Sequence, residues 1–176
     1  YNGVEEYVNS TTGLKYVVGH SVREYFMNRY AGVNPANGDA LWYTADGELT
    51  TEFREEDKVM TGKSFDSPWV GGFGTSLMWK GLSLSAQFSW MAKRYVMNND
   101  RFFEESNGLY SAYNQSKRLL YDRWKKPGDI TDIPRYGVTA QLDDRFLDNS
   151  SFLRLKNLTL AYAFPQSLLK KTNFFT

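Results

Sequence analysis

The stretch that most constrains this chain is residues 70–97, because its side chains alternate. From Leu82 onward, Leu82, Leu84, Ala86, Phe88, Trp90 and Ala92 fall on one face, and Ser83, Ser85, Gln87, Ser89, Met91 and Lys93 on the other. Successive side chains of an extended strand point to opposite faces, so this period of two reads as a strand with one apolar and one polar side. The preceding run repeats the pattern less cleanly, with Phe73, Thr75, Leu77 and Trp79 set against Gly74, Ser76, Met78 and Lys80. Lys80-Gly81 stands between the two runs. Glycine takes the positive φ of a tight hairpin turn, so the spacing predicts a long antiparallel hairpin.

The arms are long. Each runs for about ten residues or more, whereas strands of globular proteins typically run about five or six, and a tilted strand crossing a bilayer needs about 9–11. The small polar residues of the second face suit a watery lumen, and Trp69, Trp79, Trp90 and Tyr95 lie towards arm ends, where membrane barrels carry aromatic girdles. A half-buried hairpin of a soluble β-sandwich has the same periodicity, so alternation alone leaves both readings open.

Elsewhere the chain is less regular. Leu14–Gly19 and Val22–Tyr30 read as strands. Between them lies His20, the only histidine, which without neighbouring metal-ligand types is expected to make an ordinary polar contact. Asn34–Asp39 reads as a turn-rich loop without the full ligand series of a calcium site. Leu41–Thr51 reads as a small hairpin around Asp46-Gly47, and Glu52–Lys58 as a solvated charged run. Gly62-Lys63-Ser64 resembles the end of a P-loop, but Asp57 occupies the position of the required upstream glycine and no helical pattern follows. Leu109, Tyr113, Leu120 and Trp124 have helical spacing, while Asp129–Tyr136 and Asp143–Ser151 read as loop. Alternation returns over Phe152–Phe164, stops at Pro165, and a short turn is expected over Gln166–Lys171. Long strands are thus joined by a tight turn on one side and by residues 98–151 on the other. That asymmetry counts against a compact soluble domain and is the expected pattern of an outer-membrane barrel, with short periplasmic turns and long extracellular loops.

Composition narrows the function classes. With 21 basic and 20 acidic residues the net charge is +1, so no strongly basic face for nucleic acid is implied. There is no cysteine, hence no disulfide framework and no thiolate chemistry. No apolar run of about 18 residues is present for a transmembrane helix. A mean hydropathy of −0.53 is compatible with a barrel, whose alternating strands average out polar. The start at Tyr1-Asn2-Gly3-Val4 and the end at Asn173-Phe174-Phe175-Thr176 read as a piece of a longer protein.

Four stretches together resemble one family. They are Tyr30–Asp39; Gly71-Gly72-Phe73 through Trp79-Lys80-Gly81-Leu82-Ser83-Leu84; Asp122-Arg123-Trp124-Lys125-Lys126-Pro127-Gly128-Asp129-Ile130-Thr131-Asp132-Ile133-Pro134-Arg135; and Ser151-Phe152-Leu153-Arg154-Leu155-Lys156-Asn157-Leu158-Thr159-Leu160-Ala161-Tyr162 with Pro165 and Leu168-Leu169-Lys170-Lys171. The pattern, covering most of the chain from about residue 19, resembles the SusC/RagA family of TonB-linked outer-membrane transporters, and the last stretch is the most specific. The resemblance implies an all-β fold, part of a transmembrane antiparallel barrel of 22 strands with long extracellular loops. Residues 1–176 then fall in the barrel's C-terminal region, with the plug, the TonB box and the closing strands outside them. It also implies uptake of oligosaccharides or peptides at the cell outer membrane, a SusD-like surface lipoprotein as lid, energy supplied through TonB, and contact with outer-membrane lipid. No catalytic, cofactor or metal residue is carried over.

Among the apolar residues of the long loop, Leu109, Tyr113, Leu120 and Trp124 are expected to form its own small core. That leaves Phe102, Phe103, Arg135 and Tyr136 as candidates for lipoprotein or substrate contact, since aromatic residues and arginine anchor protein interfaces. Two other classes remain for comparison. One is a soluble, aromatic-rich β-domain that binds carbohydrate by stacking. The other is a glycosidase, which needs two carboxylates about 5–10 Å apart in a cleft. Glu104-Glu105, Asp129, Asp132 and Asp143-Asp144 supply carboxylates only in polar loops, where solvation is the default, so no enzyme is expected.

Overall fold

The computed structural model describes residues 5–9 and 14–166. The turn expected over Gln166–Lys171 lies outside the described residues beyond Gln166. The strands, in chain order, are β1 (Glu6–Val8), β2 (Lys15–Val17), β3 (Glu24–Met27), β4 (Arg29–Val33), β5 (Ala40–Tyr43), β6 (Leu49–Thr50), β7 (Val59–Ser64), β8 (Trp69–Trp79), β9 (Leu82–Ala92), β10 (Tyr95–Met97), β11 (Leu147–Asn149) and β12 (Phe152–Tyr162). Two short helices, α1 (Asn99–Glu104) and α2 (Arg118–Tyr121), lie between β10 and β11. The chain divides into two compact units: residues 1–66 with 94–149, and residues 67–93 with 150–176.

The second unit is a three-stranded antiparallel sheet in the order β12-β9-β8. The predicted hairpin is present. Lys80 and Gly81 have φ of +45° and +85°, the paired positive φ of a two-residue turn whose twist matches the flanking strands. Its register pairs Trp69 with Ala92 at one end and Trp79 with Leu82 at the other. β12 pairs with β9 from Phe152↔Met91 to Tyr162↔Leu82. Opposed residues share a face, so the apolar set is continuous across three strands: Phe73, Leu77 and Trp79; Leu84, Phe88 and Trp90; Leu153, Leu155, Leu158, Leu160 and Tyr162. The other face carries Gly72, Gly74 and Ser76; Ser83, Ser85, Gln87 and Ser89; Arg154, Asn157 and Thr159.

The apolar positions of β12 change parity, from 153 and 155 to 158, 160 and 162. A β-bulge between Leu155 and Asn157 inserts Lys156 and brings the two halves into phase on one face. On the apolar face Phe73 and Phe88 stack at 4.9 Å. The Trp90 indole covers Gly71, where an added Cβ would come within 2.8 Å of its Nε1. The face stays bare: Phe73, Leu77, Leu153, Leu158 and Leu160 are 55–67% exposed.

The first unit is built of small sheets, β1-β2, β3-β7, β4-β5-β6 and β10-β11. Val22–Tyr30 is not one strand but two, broken at Asn28, which is fully buried and donates its side-chain amide to the Arg54 carbonyl at 2.7 Å. The small hairpin around Asp46-Gly47 forms as expected, as β5 and β6. Within the charged run, Asp57 is buried and accepts a hydrogen bond from the Ala45 amide at 3.0 Å. Gly62-Lys63-Ser64 belongs to β7, and Lys63 Nζ pairs with Asp144 at 2.9 Å. The strand beginning at Leu82 stops at Ala92 rather than running on to Met97, because Lys93 takes a left-handed φ of +58°. Tyr95–Met97 then forms β10 and pairs with β11, a segment whose polar sequence reads as loop.

The core of this unit gathers around Phe146, which is 1% exposed, with Trp42, Ala40, Ile133, Ala140 and Leu147. The helix expected over Leu109–Trp124 is reduced to α2, with turns before it. Asn107 and Gly108 have φ of +53° and +106°, and the Gln115 amide donates to the carbonyls of Tyr110 and Tyr113. Local side-chain bonds of this kind compete with helix formation. Leu119, not Leu120, is the buried leucine.

Candidate functional site

Residues 98–148 are folded by polar contacts over long sequence distances. Asn98 caps α1 by accepting from the Arg101 amide at 2.9 Å. The Glu105 side chain is almost fully buried between two guanidiniums, at 3.0 Å from Arg101 Nε and 2.6 Å from Arg118 Nη1. Arg118 also binds both carboxylate oxygens of Asp132, at 2.8 and 2.7 Å. Asn107, buried, donates to the carbonyls of Arg135 and Val138 at 2.8 and 2.7 Å. Asp129 accepts from the amides of Lys125 and Lys126.

Asp143 is fully buried and accepts from the Trp42 indole N–H at 2.9 Å and from the Arg145 amide at 3.2 Å. Burial pushes its carboxyl up to about 6, an effect partly offset by the Arg145 guanidinium. Asp144 accepts from the Tyr30 amide at 2.8 Å. Of the carboxylates weighed above for a glycosidase, Glu105, Asp132 and Asp144 are engaged with cations and Asp129 and Asp143 with N–H donors, while Glu104 is exposed.

Two of the stretches that carry the family resemblance meet here. The Trp124 indole donates to the Pro35 carbonyl at 3.1 Å, the Gly128 amide donates to the same oxygen at 2.9 Å, and the Arg135 amide donates to Gly38 at 2.8 Å. Arg135 Nε reaches Asp39 at 2.9 Å. The Trp124 ring lies so close over Gly38 that a Cβ there would stand 2.4 Å from it.

The four candidate contact residues fall in two pairs. Phe102 and Phe103 sit together on α1. Phe102 packs edge-on against Tyr110 and Phe146, whereas Phe103 remains 39% exposed beside Tyr110 and Tyr113. Arg135 is exposed but held by Asp39. Tyr136 is 72% exposed, with the Arg123 guanidinium 5.2 Å above its ring. Sequence spacing did not single out Ile130, which is 94% exposed, or Tyr121, 69% exposed. Ile130 directly follows the turn that Asp129 closes, and an apolar residue beside so polar a turn was the available signal.

No family model matches the chain. It is 22% identical over 183 residues to the TonB-dependent receptor P39 of Formosa agariphila, covering 99% of this chain and 17% of the receptor. It is 26% identical over 132 residues to the TonB-dependent receptor P3 of the same bacterium, covering 74% of this chain and 12% of that protein. Solved structures of the RagAB peptide importer in its "open-open" and "closed-closed" states match with TM-scores of 0.81 and 0.80, each at 36% identity. Both matches cover 98% of this chain, against 19% and 20% of the importer chains. The chain therefore spans about a fifth or less of the proteins it matches. With strands of bilayer length and one apolar and one polar face, the chain is similar over almost its whole length to part of TonB-dependent receptors of the outer membrane, the RagA type among them.

Proposed function

We propose that the chain is a segment of the barrel domain of an importer that carries oligosaccharides or peptides across the outer membrane. In this reading the segment comes from the C-terminal part of a 22-stranded barrel, and the plug, the TonB box and the closing strands belong to parts of the protein outside residues 1–176. TonB supplies the energy, and a SusD-like surface lipoprotein lids the barrel. The observation that carries the reading is the bare apolar face of the β8-β9-β12 sheet, backed by a polar face without core packing. A soluble carbohydrate-binding domain would have to bury that face, so the alternative is disfavoured. The likeness to RagAB makes a peptide the first cargo to test.

The Lys80-Gly81 turn is read as periplasmic and residues 98–148 as extracellular. Phe103, Arg135 and Tyr136 then offer surface to the lipoprotein or the cargo, with Phe102 supporting Phe103 from below. The test uses the whole transporter in its native bacterium, with growth on the cognate nutrient and co-purification of the lipoprotein as readouts. Tyr136→Ala combined with Phe103→Ala should weaken lipoprotein capture or growth while the barrel still assembles. Unchanged capture and growth would place the contacts elsewhere in the protein. Growth that does not depend on TonB would refute the import reading itself.

A further inference from the structure

Charge is segregated between the two units. Residues 67–93 and 150–176 hold six Lys or Arg and no Asp or Glu, so all 20 acidic residues lie in the other unit. Two of these cations stand within β12. Arg154 lies on the polar face, opposite Ser89, and Lys156 is the bulge residue beside Asn157. Both are exposed, and among the described residues neither has an ion-pair partner. The Arg154 guanidinium sits 4.9 Å from the Phe152 ring. A cation–π contact of this kind favours an ordered group and uses none of its N–H donors in an ion pair. The rest of the face is hydroxyl, amide and glycine, with apolar residues towards its ends (Val70, Met91 and Phe152 at one, Met78 and Ala161 at the other), so no acidic group on it repels an anion. In a lumen with low-dielectric walls two such cations concentrate negative charge.

We infer that Arg154 and Lys156 form a cationic strip that binds carboxylate groups of the imported cargo as it passes the polar face. The inference rests on the barrel reading, which makes this face the lumen wall. It narrows the cargo to carboxylate-bearing molecules, either acidic peptides or uronate oligosaccharides.

The experiment uses the whole purified transporter in detergent and measures binding of four fluorescent probes: a Glu-rich peptide, its Gln counterpart, an oligogalacturonate, and the same oligosaccharide as its methyl ester. The wild type should bind one of the acidic probes more tightly than its neutral partner, and less so as salt rises. The acidic probe that binds identifies the source. Arg154→Gln with Lys156→Gln should weaken that probe about tenfold or more and leave the neutral one unchanged. Each acidic probe binding no better than its neutral partner, or an unchanged affinity in the double variant, would overturn the inference. So would a variant that binds all probes as wild type but lets a large antibiotic into cells, since the cations would then hold carboxylates of the protein itself. The import reading is judged separately, by TonB-dependent growth and outer-membrane assembly, so either can fail alone.

Discussion

At Gly38 the backbone has φ of +77°, and the Trp124 indole occupies the space a side chain would need. Gly38→Ala must therefore move the indole off the Pro35 carbonyl as well as strain the backbone. It should lower the unfolding free energy of this unit by about 2–4 kcal/mol. Gly47→Ala, at φ of +97° with open space around it, should show only the backbone part, about 1 kcal/mol. Denaturant titration of the two variants, or limited proteolysis between 94 and 149, separates them. Asp143 gives a second prediction. Its folded-state pKa of about 6 lies above the ordinary 3.8, so the folded unit binds the proton more tightly. The resulting stability is fully present below about pH 4 and is lost as pH rises through about 6, a swing of about 3 kcal/mol. Asp143→Asn should flatten that slope, followed by Trp42 fluorescence in denaturant at several pH values. Neither residue was legible in the sequence. Nothing near Asp143 in the chain announces Trp42 as its partner, and Gly38 read only as a turn glycine, because the ring that requires it lies at position 124.

The β8-β9 hairpin was legible almost to the residue, since its period of two, its Lys80-Gly81 turn and its length are local properties. Its faces make a direct prediction. Phe88→Arg, on the apolar face near the middle of the strand, should cost about 2–4 kcal/mol on refolding into bilayers, and Gln87→Arg, on the polar face, much less. Equal costs would remove the membrane assignment. The β12 bulge was half legible. Alternation was read straight through Phe152–Phe164, and only the pairing with β9 shows that the apolar parity changes between Leu155 and Leu158 and that Lys156 absorbs it. Deleting Lys156 leaves Leu153, Leu155, Leu158, Leu160 and Tyr162 in phase, so that variant should still assemble, judged by heat-modifiable mobility on gels. Deleting Thr159 instead turns Leu160 and Tyr162 to the polar face and should abolish assembly. The supposed 109–124 helix failed for another reason. Its spacing did not mark a buried face, since Leu109, Tyr113 and Leu120 are 48%, 61% and 62% exposed, and Gln115 binds the local backbone in turns while Asn107 is drawn to the carbonyls of Arg135 and Val138.

At the scale of the whole molecule, the proposed orientation is tested by which residues a membrane-impermeant thiol reagent reaches in intact cells. Residues 1–176 hold no cysteine, so within this stretch an introduced one has no native competitor, and the unsubstituted transporter gives the background. A cysteine replacing Ile130, which is 94% exposed, should label from outside, and one replacing Lys80 should not. Asn107, although in the same long segment, is unsuited to the experiment because it is buried and holds three carbonyl groups. The reverse labelling pattern would invert the topology. The sequence showed that residues 98–151 form an excursion between long strands, but not that most of it folds in one unit with residues 1–66. That unit depends on Arg101 and Arg118 meeting Glu105, and on Arg118 meeting Asp132, across turns that no periodicity encodes.

The pairing of β10 with β11 bears on how the sheet comes together in time. Tyr95 lies opposite Asn149, three residues after the end of β9 and three before the start of β12. Once that short ladder has formed, the two ends of the excursion are already side by side. Adding β12 to β9 then closes a loop of a few residues rather than the whole of 93–151, which lowers the entropy of closure by on the order of 2 kcal/mol. Recruitment of the third strand becomes nearly as local an event as the hairpin itself. Loosening the β10-β11 ladder should therefore slow barrel assembly while leaving the finished β9-β12 pairing as strong as before.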